Sequence, residues 1–142
     1  MITATLKTAL EEAGCDFILY ESSQLANLLT DQSKPDDLIG LILQPTDITL
    51  KVRANAVHEL YPPIKIEILK QTILEDTAEN NEETLEALLQ IAKDFIREII
   101  KTAEFQKVKD VVATKVLENR YDANVIGWSL AIDLNLIENV SC

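Results

Sequence analysis

EETLEALLQIAKDFIREIIK (Glu82–Lys101) and ANVIGWSLAIDLNL (Ala123–Leu136) decide the fold class between them. In the first, Leu85, Leu88, Leu89, Ala92, Phe95, Ile96, Ile99 and Ile100 recur at spacings of three and four and predict an amphipathic helix over 82–101. Asn80 is its expected N-cap, with Glu83 three residues on as the partner of a capping box. Glu79, Glu82, Glu83 and Glu86 stand near the positive dipole end, and Arg97 and Lys101 near the negative end. In the second, Ile126, Trp128, Leu130, Ile132, Leu134 and Leu136 alternate with Val125, Gly127, Ser129, Ala131, Asp133 and Asn135. That period of two predicts a long strand with one large apolar face and one small or polar face.

Working outward, Val112–Leu117 alternates as a second strand, joined to the last through a polar hairpin loop, ENRYDAN (Glu118–Asn124). Upstream, 64–70 alternates Ile64, Ile66 and Ile68 with Lys65, Glu67 and Leu69, and 48–56 alternates Ile48, Leu50, Val52 and Ala54 with polar residues. Both read as half-buried strands. The link AVHELYPP exceeds a two-residue turn, and Pro62 and Pro63 forbid ladder donation, so a projecting loop or edge is expected. Leu38–Gln44 is apolar on both sides, as in a buried strand. SKPDD (Ser33–Asp37) is turn chemistry, and SSQLANLLTDQ before it reads as a short helix. Phe17–Tyr20 is a short strand, and Ile2, Leu6, Leu10 and Ala13 mark an N-terminal helix that Gly14 closes. The expected architecture over 1–142 is a single α+β domain. Its sheet is mostly antiparallel, of about four to five strands, with helices packed on one face.

Composition narrows the function classes. The chain has 142 residues, 24 acids against 13 bases, and a formal net charge of −11. At 47% hydrophobic and 26% charged it has enough apolar content to fold rather than stay disordered. Apolar runs stop at Leu38–Leu43, far short of the ~20 residues of a membrane span, and MITATLKTALEEAG has no signal-like apolar core. Two cysteines, Cys15 and Cys142, make no disulfide framework, so a soluble protein of a reducing compartment is expected. The acid excess disfavours a phosphate-tracking groove. It is also uneven. Residues 1–50 hold eight acids and two bases, 75–92 hold six acids and no base, and 93–120 hold seven bases and five acids.

No catalytic motif stands out. There is no GxSxG, HExxH, P-loop or GxGxxG. His58 is the sole histidine and Cys15 follows a helix end instead of leading one, so neither suggests a metal centre or an activated thiol. No catalytic residue, cofactor or metal is expected. Trp128, on the apolar strand face, reads as core.

The order of elements is the remaining clue. The segments IKIEILKQTILEDTAENNEETLEALLQIAKDFIREII (64–100) and ENRYDANVIGWSLAIDLNL (118–136) resemble the tail-terminator and neck-ring proteins of tailed bacteriophages. The resemblance rests on element order and length across essentially the whole chain. It implies a structural virion protein, a head-to-tail connector made in the host bacterial cytoplasm. Such a protein forms a hexameric or dodecameric ring, meets portal, neck or tail proteins, and passes genome DNA without binding it specifically. An acidic lumen suits that passage, with Glu75, Asp76, Glu79, Glu82, Glu83 and Glu86 as candidates for its wall. Val57, Leu60 and Tyr61 are candidate neighbour contacts, and Lys107 and Lys109 candidates for pairing with the acid-rich first third. The alternative is a small cytosolic acidic binding or inhibitor protein that occupies a basic partner. A small enzyme built on His58 is a third class.

Overall fold

A computed structural model describes residues 2–21, 37–43, 49–60, 63–72, 78–102, 110–120 and 123–133. The chain runs α1 (Ile2–Ala13), β1 (Phe17–Glu21), β2 (Ile39–Leu43), β3 (Thr49–Arg53), β4 (Ala56–Leu60), β5 (Ile64–Gln71), α2 (Ala78–Thr102), β6 (Val112–Arg120) and β7 (Ala123–Ile132). Among the described residues the strands form a five-stranded sheet, β1-β2-β5-β7-β6, and a separate two-stranded sheet of β3 and β4. In the larger sheet β1 and β2 are parallel and the other pairings antiparallel. Among the described residues the helices α1 and α2 pack on one face, as the sequence predicts.

The C-terminal end of α1 has a local cause. Gly14 takes φ +113° and closes α1. Its N–H donates to Glu11 O at 3.0 Å and that of Cys15 to Leu10 O at 3.0 Å, the paired bonds of a Schellman motif. Asp16 then ties β1 to β2: its N–H donates to Leu38 O at 2.8 Å, and its carboxylate accepts from the Leu38 N–H at 3.0 Å. In α2 the helix already begins at Ala78, so Asn80 lies inside it and is not the N-cap. Its carbonyl accepts from Thr84 Oγ1, an ordinary i, i+4 contact within a helix.

The core lies between the helices and the sheet. Leu6, Ala9, Leu10 and Ala13 of α1 and Leu88, Ala92, Phe95 and Ile99 of α2 meet Ile42, Ile64, Ile66, Ile68, Ile126, Leu130 and Ile132. Ile100, counted in the apolar stripe by its spacing, is exposed, because Ile99 takes the inward position at the end of the helix. Trp128 packs against this core, and its Nε1–H donates to Leu85 O at 2.8 Å, a bond that fixes the first half of α2 over β7.

Three strand readings need correction. β5 is buried on both faces, not half-buried. Its place between β2 and β7 puts Ile66 and Ile68 in the helix-side core, while Glu67 and Leu69 are fully buried on the reverse. That reverse side holds a second apolar cluster, Ile39, Leu69, Val116 and Val125. The polar stretch ENRYDAN is not all loop. β6 continues through Glu118–Arg120, β7 starts at Ala123, and Arg120 pairs with Ala123. The alternation of 48–56 does form a strand, β3, but it is exposed throughout and separate from the main sheet. SSQLANLLTDQ, residues 33–36 of the SKPDD turn, Gln44, Leu134, Leu136 and Cys142 lie outside the described residues.

Candidate functional site

The structure turns AVHEL into β4, so the expected projecting loop is a strand of a hairpin. β3 and β4 join through Ala54 and Asn55, with Arg53 paired to Ala56, Val52 to Val57, Lys51 to His58, Leu50 to Glu59 and Thr49 to Leu60. Ala54 carries the turn at φ 52°, a left-handed conformation at the position where two-residue hairpins favour glycine. Register puts Leu50, Val52 and Val57 on one face and Lys51 and Arg53 on the other.

Burial makes this hairpin unusual. Every side chain from Thr49 to Val57 is exposed, with Leu50 at 62%, Val52 at 67% and Val57 at 61%. A two-stranded hairpin is marginal by itself in water. One that also shows three neighbouring aliphatic side chains to solvent has the character of a contact surface. Alternation alone does not mark Leu50 and Val52 as contact residues. The signal lay in pairing: once Val52 faces Val57, the two alternating runs share an apolar face.

The second feature is α2. Glu79, Glu82, Glu83 and Glu86 are exposed along its first half. In its second half two cations sit beside acids of the same helix, Arg97 on Asp94 at 2.9 Å and Lys101 on Glu98 at 3.0 Å. These exposed i, i+3 pairs contribute little to stability, but they leave the net acid at the other end. Beside that end a groove of about 420 Å³ is lined by Leu38, Lys70, Glu83, Thr84, Ala87, Leu88 and Ile91. A smaller one of about 260 Å³, between α1 and α2, is lined by Ala4, Thr5, Thr8, Ala9, Glu12, Glu98 and Thr102.

Of the candidate contacts, Val57 is exposed on the hairpin, and Leu60 ends β4 opposite Thr49. Tyr61, Lys107, Lys109, Glu75 and Asp76 lie outside the described residues. His58 stands in β4 across from Lys51, not in a polar loop. Among the described residues no three His, Cys, Asp or Glu side chains gather as a metal site, and no helix is long and apolar enough to cross a membrane.

Cys15 is a buried free thiol, pushed up to about 12 by burial first and by the negative charge of Asp16 second. In a Cys142→Ser background the native protein should therefore fail to react with a thiol reagent at pH 8, and react fully once unfolded. The sign for stability follows from the same shift. The unfolded thiol ionises near 9 and the folded one near 12, so this contribution is intact below about pH 9 and is lost as pH rises towards 12. Rapid native labelling at pH 8 would contradict the burial. No family model, curated protein or solved structure matches the chain.

Proposed function

We propose that this chain is a structural assembly subunit, a ring-forming protein of the phage neck or tail that resembles the tail terminators and acts by docking, not by catalysis. The observation that carries the reading is the hairpin. A strand pair that leaves Leu50, Val52 and Val57 in water gains most from a neighbour that covers them. A rigid sheet-and-helix body bearing one such arm is what a subunit needs to hold an adjoining copy at fixed geometry. The ring is hexameric or dodecameric in this reading, lies in the virion beside portal, neck or tail proteins, and passes DNA without binding it. Exposed Glu79, Glu82, Glu83 and Glu86 would suit a lumen wall, where like charge keeps phosphates from adhering.

The same acids favour a second reading, a small acidic protein that occupies a basic partner. Stoichiometry separates the two. Native mass and sedimentation velocity over rising concentration should show cooperative growth to one closed species, and imaging should show a six- or twelve-fold ring with a central hole. A monomer at every concentration up to about 1 mM and every ionic strength would overturn the self-assembling reading in favour of the acidic binder.

A further inference from the structure

We infer that the hairpin of one copy seats in the groove beside the first half of α2 on a second copy. This inference rests on the assembly reading and names the surface it uses. The arm offers an aliphatic face, Leu50, Val52 and Val57, and carries exposed Lys51 and Arg53 on its reverse. In a chain of net charge −11, such a cationic tip is complementary to much of the surface of another copy.

The groove matches both properties. Leu38, Ala87, Leu88 and Ile91 give it aliphatic walls, and about 420 Å³ leaves room for aliphatic side chains entering from outside. Glu83 stands in its lining, and Glu79 and Glu86 continue the same helical stripe at spacings of four and three. Lys70 enters from β5, so the acid is on the helix side of the groove and the cation on the sheet side. With the aliphatic face of the arm against the walls, Lys51 and Arg53 reach round its flanks to the glutamate stripe on their flexible stems. The smaller groove fits less well. Its lining has only Ala4 and Ala9 as apolar residues among Thr5, Thr8, Glu12, Glu98 and Thr102, and its Glu98 already holds Lys101.

Arm and groove are different patches, so the contact is heterologous. Each copy gives one arm and receives one, and the series closes into a ring when the rotation permits. The ionic part of the contact is screened, so assembly weakens as salt rises.

Two variants and their mixture test this. The arm variant, Leu50→Thr with Val52→Thr and Val57→Thr, keeps strand-favouring side chains and removes much of the apolar face. The groove variant, Ala87→Arg, blocks an exposed helical position with a good helix former. Each alone should associate at least about a hundredfold more weakly than the parent chain. Their equimolar mixture should give a heterodimer and nothing larger, because one intact arm then meets one intact groove. A groove variant that assembles like the parent overturns this docking site while the assembly reading stands. An arm variant that does so removes the arm itself, and a mixture without heterodimer shows that arm and groove do not meet. If circular dichroism shows that the triple substitution melts the hairpin, Arg53→Glu and Glu83→Arg replace it. Each should weaken assembly, the double variant should restore it, and lack of restoration overturns the pairing.

Discussion

Gly127→Ala should cost at least about 4 kcal/mol and leave little folded protein at 37 °C, the largest effect expected of any single methyl added to this chain. Gly127 lies in the middle of β7, opposite Leu69 of β5, with φ +157°. A Cβ there would overlap the Ile68 carbonyl oxygen, with the carbonyl carbon at 2.9 Å and the Leu69 Cα at 3.0 Å. All three obstacles are backbone, so no rotamer change relieves them. They belong to β5, the strand that joins β2 to the β7-β6 pair. Separating β5 from β7 to admit the methyl would break the ladder at the centre of the sheet. Urea unfolding followed by far-ultraviolet circular dichroism measures the loss, and a parental midpoint for Gly127→Ala would mean that β5 and β7 are not this close.

How far such residues were legible in the sequence depends on the range of the cause. Helices and strand periods come from neighbours along the chain, so α1, α2 and the alternating faces of β7 could be read directly. Gly14 was equally plain, since a cap is a local matter. Alternation makes Gly127 one more small residue on the minor face of β7, because its need for glycine comes from Ile68, a strand away. Glu67 shows the same limit. By alternation it belongs on a solvent face, yet it is fully buried between β2 and β7, with its carboxylate satisfied. The hairpin was half legible. Alternation gave β3, but that both its faces stay in water follows from β4 pairing with it alone. The groove beside α2 joins residues of α2 and β5 with Leu38, just before β2, and has no linear signature.

Phe95→Ala is expected to cost about 3–5 kcal/mol, or about 10 °C or more in melting temperature for a domain of this size. Phe95 heads the fully buried side chains by volume and belongs to the cluster in which α1, α2 and the sheet meet. Its ring is fully buried, and a cluster drawn from both helices and the sheet relaxes only partly into the space its removal leaves. Phe95→Leu keeps most of the volume and should cost about 1 kcal/mol. Guanidinium unfolding checks both, and an alanine variant within ~1 kcal/mol of the parent would mean that α2 is not seated on the sheet. The contrast with the hairpin separates fold from assembly. Leu50, Val52 and Val57 touch water and not this core, so their threonine variant should unfold at the parental midpoint, within ~0.5 kcal/mol, when measured on dilute monomer. The core substitution loses stability at any protein concentration, whereas on the proposed reading the arm substitution loses only what self-association adds at high concentration. In the proposed assembly, residues that hold one copy together and residues offered to the next are thus distinct sets. On the proposed assembly reading, that separation lets a subunit stay folded before its neighbours arrive.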